Sequence, residues 1–248
     1  MSRLWSQAGE VGGGTSDLSS VSESPYRLKD DPYSSHSVIL SRLGEGRGRR
    51  LLDVGAANGF LAQRLTERGY EVTGIEGDPR LAALAAGKCH AVVVADLDRE
   101  APELSGSFDV IVYGDVLEHL KDPLRVFQHL NRYLSPDGTL VISVPNVAHL
   151  RVRLQLLLGR FEYAERGILD RTHLRFFTLS SLRRFLAEAK VTVVELVATP
   201  VPLPLLVPER YHGWWLNTLH ATNAALARVF KTLLGYQFVV VARREALP

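Results

Sequence analysis

The chain has 248 residues, 46% of them hydrophobic, with 29 basic against 27 acidic side chains and a formal net charge of +2. That is enough apolar material for one substantial core, and the scattered Lys and Arg residues form no basic stripe, so nucleic acid is not expected as a partner. The single cysteine, Cys89, excludes an intramolecular disulfide and fits a reducing compartment, so a cytoplasmic location is expected.

Residues 1–24 are rich in Ser and Gly without the apolar core of a secretory signal, and are expected as a flexible leader before a single domain spanning 25–248. Tyr26 to Leu43 predicts one or two short helices, followed by the Gly/Arg-rich hinge Gly44 to Arg50. Leu51 to Val54 is a short apolar strand entering a Gly-rich turn, and Phe60 to Arg68 repeats apolar residues at helical spacing, with Gly69 as the stop. The unit recurs as strand Glu71 to Ile75, proline-opened helix Pro79 to Ala86 and strand Ala91 to Ala95. Phe108 to Tyr113 then predicts a buried strand and Pro123 to Leu134 a helix, with Ser135 to Gly138 as a turn before strand Thr139 to Val144. Beyond Pro145 the pattern loosens until helix Leu179 to Ala189, with Thr178 or Ser180 as its cap, and strand Val191 to Val197. A three-proline stretch, Val201 to Pro208, and an apolar-rich helical stretch, Trp214 to Leu234, form an insertion over 198–235 before the last strand, Tyr236 to Ala242. No run of about eighteen apolar residues occurs, so no helix is expected to span a membrane. Strands alternating with helices imply parallel pairing and right-handed crossovers, a doubly wound α/β sheet.

The strongest chemical signal is Leu51 to Phe60, where a buried strand runs through Asp53-Val54-Gly55-Ala56-Ala57-Asn58-Gly59 into a helix. Glycine lets the backbone turn sharply and approach a ligand, and the helix start supplies unpaired N–H groups, so Gly55 and Gly59 with Ala56 are expected to contact a cofactor. The spacing departs from the dinucleotide pattern G-x-G-x-x-G, and a carboxylate at Asp53 repels phosphate while attracting ammonium or sulfonium. Glu76, about twenty residues on, stands where α/β nucleotide sites accept ribose hydroxyls, and Asp96 closes the third strand at a height suited to an adenine amino group. Three successive strands that each end in an acid mark the carboxyl edge as the binding edge.

Taken with Phe108 to Ile111 and Gly114-Asp115-Val116-Leu117-Glu118-His119-Leu120, these residues resemble the class I S-adenosylmethionine (SAM)-dependent methyltransferases, above all the ubiquinone-biosynthesis-like and polysaccharide-cluster-associated small-molecule enzymes. The resemblance covers about Leu51 to Val144. It implies a Rossmann-like, mostly parallel seven-stranded sheet with an antiparallel last strand, SAM as cofactor, S-adenosylhomocysteine (SAH) as product, and a lid over 25–43 that brings Tyr26 to the substrate. It also implies that Gly55 and Gly59 face the methionine part, Glu76 and Gly77 the ribose, Asp96 and Leu97 the adenine, and Gly114, Asp115 and Val116 the rim beneath the transferable methyl. A second segment, Gly167 to Thr178, is similar to one in methyltransferases of polysaccharide and glycolipid biosynthesis, which implies an acceptor site. Asp170, Arg171 and Arg175 would bind the acceptor there, since an acid and two guanidinium forks in six residues are a density typical of a site.

Methyl transfer is an in-line displacement that requires alignment and, for a hydroxyl acceptor, removal of a proton. His119 and His173 are the candidate bases, because imidazole titrates near neutral pH. No metal is expected. The alternative is a divalent ion held by Asp115, Glu118 and His119, at i, i+3 and i+4 of a helical turn, together with His173. The leading expectation is therefore O-methylation of a saccharide or glycolipid-type acceptor by a monomer or homodimer; the alternatives are a quinone precursor or other phenolic or carboxylic metabolite, and a catalytically silent SAM/SAH-binding partner protein. Trp214, Trp215, Leu216 and Leu219 with Arg228 and Lys231 could make an amphipathic element in peripheral contact with a membrane, against the plainer reading of a helix packed on the sheet.

Overall fold

A computed structural model describes residues 31–245, so the Ser/Gly-rich segment 1–24 and Tyr26 lie outside the described residues. The chain enters through α1 (Ser35–Leu43), whose N-cap Ser34 accepts the Ser37 N–H. It then alternates β1 (Arg50–Val54), α2 (Phe60–Glu67), β2 (Glu71–Glu76), α3 (Pro79–Ala86), β3 (Ala91–Val94), β4 (Phe108–Gly114), α4 (Pro123–Leu130) and β5 (Leu134–Pro145). After β5 come α5 (Leu150–Leu157), α6 (Leu179–Glu188), β6 (Val191–Thr199), α7 (Leu203–Leu206), α8 (Trp214–Val229), α9 (Lys231–Leu234) and β7 (Gln237–Arg244). The strands form one seven-stranded sheet in the order β3-β2-β1-β4-β5-β7-β6. β1 to β5 pair in parallel, and β7 is antiparallel to both neighbours, β5 and β6. Strand order therefore reverses between β1 and β4, where the two outgoing loops diverge and leave a crevice.

Alternation along the strands sorts the core into two layers. Leu52 and Val54 of β1, Ile111 and Tyr113 of β4, and Leu140, Ile142 and Val144 of β5 bury against Val126, Phe127 and Leu130 of α4 and Leu182 and Leu186 of α6. Leu51, Val110, Val112, Val141 and Val239 point the other way, onto Val38, Ile39, Leu40 and Leu43 of α1 and Leu61, Ala62 and Leu65 of α2. The Ser35–Leu43 part of the segment expected as a lid thus contributes a full apolar face to the core.

The main departures from the sequence reading have local causes. The helix expected to reach Leu134 ends at Leu130 and tightens into a 3₁₀ turn, Asn131–Tyr133, and the expected turn at 135–138 is an irregularity within β5. Its pairing with β4 slips between Phe108 and Val110, and a Cβ on Gly138 would lie 2.7 Å from Leu134 Cγ. α5 had no periodic signal, since its exposed leucines break the amphipathic pattern. The cap of α6 is Thr178, which accepts the Ser181 N–H while the Ser181 hydroxyl accepts the Thr178 N–H, a reciprocal capping box. Trp214 to Leu234 divides at Phe230 into α8 and α9, and α8 is tied to the chain ahead of α1 through His220 Nε2 and Asp31 Oδ1, 2.9 Å apart and both buried. Among the described residues no helix is long and apolar enough to cross a membrane.

Phe127 is fully buried, with its ring centroid 4.7 Å from that of Tyr113 and 5.3 Å from that of Phe185. Phe127→Ala is expected to cost about 3–5 kcal/mol of stability, read as a lower midpoint in urea at unchanged slope.

Candidate active site

The carboxyl end of β1 runs into a turn built on left-handed backbone: φ is +76° at Gly55, +49° at Ala57 and +77° at Gly59, the N-cap of α2. The N–H groups of Gly55 and Ala56 both donate to the Ile75 carbonyl at 2.9 Å, which strings the turn along β2. A Cβ on Gly55 would lie 2.8 Å from Val116 Cγ2, and one on Gly59 3.0 Å from Ala85 Cα, so both positions need glycine for space as well as for torsion. Gly59 has no side chain to cap α2, which leaves the first N–H groups of that helix for a ligand.

Asp53 lies beneath this turn, only 3% exposed. Its Oδ2 has no hydrogen-bond partner among the described residues. Burial first, and the Glu76 carboxylate second, push its carboxyl up to about 7. Asp53 together with burial also raises the half-buried Cys89 thiol to about 11, which makes it an unreactive neighbour. Glu76 closes β2 and is half-buried; Oε2 accepts the Ala57 N–H and Oε1 the Asp78 N–H, both at 2.8 Å. It therefore ties the left-handed turn to the start of α3, and since two carboxylate oxygens offer about four acceptor sites, capacity is left for a further donor. Gly77 beside it is exposed at the sheet edge. Asp96 lies two residues past β3, where Oδ1 accepts the Asp98 N–H and Oδ2 pairs with Arg99 at the surface. Leu97 is buried in the core layer that holds α4.

Across the crevice, β4 ends at Gly114 and the backbone turns left-handed at Asp115, with φ +53°. The Asp115 carboxylate is held from three elements: Oδ1 accepts the Ser143 hydroxyl at 2.6 Å, and Oδ2 accepts Gln237 Nε2 at 2.9 Å and the Ser35 hydroxyl at 3.3 Å. The helical turn expected over Asp115, Glu118 and His119 is instead a 3₁₀ turn, Leu117–His119, and Asp115 is committed away from its neighbours. The expected quartet is a trio. One atom each from Glu118, His119 and His173 lie within 4.8 Å of one another.

That trio is assembled by segment 167–178, which folds back on the 3₁₀ turn: the N–H groups of Leu174 and Arg175 both donate to the Glu118 carbonyl, at 2.8 and 2.9 Å. The rings of His119 and His173 meet edge to face at 4.8 Å. His173 Nδ1 is 3.1 Å from the Ile168 carbonyl and His119 Nδ1 is 3.2 Å from the Thr172 carbonyl. A carbonyl only accepts, so both rings carry hydrogen on Nδ1 and keep Nε2 as a free electron pair. Burial, then the neighbouring His119, lowers the pKa of His173 and favours its neutral form. Glu118 is 1% exposed with neither carboxyl oxygen hydrogen-bonded, and burial, then Asp115, holds its carboxyl well above the usual range. The sequence reading used Glu118 only in the metal alternative; its signal was the Glu-His pair just past a strand end.

The polar residues of segment 167–178 divide. Burial pushes the Asp170 carboxyl up, but the Thr172 N–H and hydroxyl, at 2.8 and 2.7 Å, hold it below its ordinary value, and it serves as a local turn acceptor beside the histidines. Arg171 is exposed and paired with Glu165 at 2.5 Å. Arg175 donates to the Lys121 carbonyl and lines a shallow cleft with Pro123, Phe176 and Ser181 that shares no residue with the trio or the glycine turn. The structure thus brings His119, His173 and Glu118 together and leaves both guanidinium groups outside that cluster.

An orphaned, buried carboxyl oxygen under a glycine cradle, an uncapped helix start and a second carboxylate with spare acceptor sites fit a cationic ligand that also carries a ribose. A comparison with known proteins agrees with this geometry. A family model described as a methyltransferase domain matches residues 34–196. A ubiquinone biosynthesis O-methyltransferase from Alkalilimnicola ehrlichii is 35% identical over 165 residues, 62% of this chain and 65% of the relative. One of the same description from Pseudomonas aeruginosa is 32% identical over 105 residues, 40% of this chain and 45% of the relative, so the aligned part spans about half to two thirds of such relatives. The solved Burkholderia thailandensis 1,6-didemethyltoxoflavin-N1-methyltransferase, described with 1,6-didemethyltoxoflavin and SAH bound, is similar in fold, with a TM-score of 0.53 at 21% identity over 86% of this chain and 77% of that one.

Asp53 supplies a test that needs no ligand. Its carboxyl holds a proton up to about pH 7 when folded and loses it near pH 4 when unfolded, so between those values the folded state binds more protons and stability falls as pH rises. Cofactor-free protein is expected to lose up to about 4 kcal/mol across that window and to level off above it, and Asp53→Asn is expected to remove this slope in denaturation curves measured at successive pH values.

Proposed function

The chain belongs to the class I SAM-dependent methyltransferases, and on that footing we propose that it transfers the methyl group to a hydroxyl of a small aromatic acceptor, with the Glu118–His119–His173 cluster receiving the hydroxyl proton. Family membership makes the protein an enzyme with SAM as its cofactor, and the silent-partner alternative is set aside.

SAM supplies an electrophilic methyl on a sulfonium centre. The glycine turn and the uncapped start of α2 bind and orient the cofactor, with Asp53 beneath as the counter-charge and Glu76 as acceptor for ribose hydroxyls. The rim Gly114 to Val116 lies against the Gly55 turn, and Glu118 and His119 of the trio follow it on the same loop. There His173 or His119 accepts the acceptor's proton at Nε2, because each Nδ1 is anchored on a carbonyl and cannot accept one. Burial raises the pKa of Glu118 and so disfavours a negative charge beside the developing phenolate.

The observation that carries this reading is the orientation of both imidazoles by the Ile168 and Thr172 carbonyls. The relatives named for ubiquinone biosynthesis support an aromatic hydroxyl acceptor over the saccharide expected from segment 167–178, for which the relatives reported above offer no support. A second reading is favoured by the mutual approach of the three ligand atoms: a divalent cation seated between Glu118, His119 and His173, with the two carbonyls orienting the histidines from behind.

Titration calorimetry with SAH is expected to show wild-type binding that Glu76→Ala weakens about 10- to 100-fold, the loss of a charge-assisted hydrogen bond. With a catechol-type acceptor, His173→Ala is expected to lower kcat by about 10²- to 10⁴-fold while leaving SAH affinity unchanged. A chelator separates the two readings: activity that survives it identifies an imidazole base, whereas activity lost and restored by added divalent metal assigns the cluster to a cation.

A further inference from the structure

Two parts of the chain that the cofactor chemistry does not use leave the sheet at the same edge as the site. β5 and β6 are both antiparallel to β7, hence parallel to each other, so α5, which follows β5, and α7 and α8, which follow β6, all begin at the carboxyl edge. Each carries apolar side chains that stay exposed among the described residues. On α5 and just beyond it, Leu157 is 82% exposed and Leu158 72%. On α8 the inward stripe is Leu216, His220, Ala224 and Ala227, and a second stripe, Trp215, Leu219, Leu226 and Val229, lies exposed beside it, with Trp214 at the helix start 81% exposed. The sequence reading had grouped Leu216 with the surface residues; at 1% exposure it belongs to the packed stripe, and the flanking Trp215 and Leu219 are the surface.

The charge around these residues is mainly basic, with Glu162 after α5 and Glu209 between α7 and α8 the flanking exposed acids. No Asp or Glu occurs from 138 to 161 or from 210 to 244, and these stretches contain Arg151, Arg153, Arg160, Arg210, Arg228 and Lys231. All five arginines are exposed. Exposed aliphatic and tryptophan side chains interleaved with an excess of basic groups are the composition that rests at a membrane interface, where the apolar groups enter the acyl boundary and the guanidinium groups meet lipid phosphates. A second copy of the chain is a poorer occupant: a symmetric contact would bring the same arginines together, with basic groups outnumbering the flanking acids Glu162 and Glu209 on each side. A strictly apolar protein groove leaves the arginines unused.

We propose that α5 and the α7–α8 insertion form one docking surface for an anionic phospholipid bilayer, which holds the protein with the open edge of the site facing the membrane. This surface is independent of the acceptor reading, since it uses none of the residues assigned to cofactor or proton transfer.

The test is flotation of the full chain with vesicles of phosphatidylcholine alone and of phosphatidylcholine mixed with phosphatidylglycerol, at low and high salt. Wild type is expected to float with the phosphatidylglycerol vesicles, to float weakly with phosphatidylcholine alone, and to detach as salt is raised. Leu157→Ser combined with Trp214→Ser is expected to weaken binding at least tenfold, and Arg151→Ser combined with Arg153→Ser about fivefold per charge removed. SAH binding by the same variants verifies that they are folded. Absence of wild-type flotation, equal flotation of folded variants, or a concentration-dependent dimer that the Leu157/Trp214 variant abolishes would each overturn the proposal, the last in favour of a second copy of the chain.

Discussion

The contact between Gly55 and Val116 governs the site. β1 and β4 are neighbours because strand order reverses between them, and their outgoing loops would collide if either carried more bulk at this point. A methyl group on Gly55 would lie well inside contact distance of the Val116 side chain, so only glycine lets the two loops approach. Left-handed backbone on both sides, at Gly55 and Asp115, then turns one loop toward α2 and the other toward the histidines. The crevice between the glycine turn and the histidine cluster follows from that approach.

Two buried carboxyl groups stand on opposite sides of this junction, and neither is fully satisfied among the described residues. Asp53 lacks a partner for one oxygen, and Glu118 for both. Such groups cost stability, because a buried acid forfeits its hydration and is driven toward the neutral form. Asp115, between them in sequence, is the opposite case: three donors from α1, β5 and β7 saturate it. The protein thus satisfies the carboxylate that shapes the turn and leaves unsatisfied those placed to meet a ligand or a proton, a distribution typical of functional sites. The lone electron pairs on the two histidines have the same logic, since each ring is fixed through Nδ1 so that the other nitrogen stays available.

The outer edge of the molecule has a different composition. α5 buries only Val152 and α8 one narrow stripe, while basic residues outnumber acids around them. A helix whose second apolar stripe stays uncovered among the described residues leaves that stripe available for association, and it begins at the same sheet edge as the glycine turn.

Much of this was legible in the sequence because it rests on local rules. Strand–turn–helix repetition predicts parallel pairing, Asp53 to Gly59 predicts a turn that bares a helix start, and the acids at Glu76 and Asp96 mark the binding edge. What the sequence could not decide depends on contacts between distant residues. Asp115, Glu118 and His119 look equivalent at helical spacing, yet a 3₁₀ turn and a left-handed torsion send Asp115 to Ser35, Ser143 and Gln237, residues 80, 28 and 122 positions away. Arg171 and Arg175 look like acceptor-binding groups by their density, but Glu165 and the Lys121 carbonyl occupy them. Sequence alone determined the fold and the cofactor, since strand period and turn chemistry act over a few residues. Only the tertiary structure decided which polar groups meet, since that depends on how segment 167–178 folds back onto the end of β4.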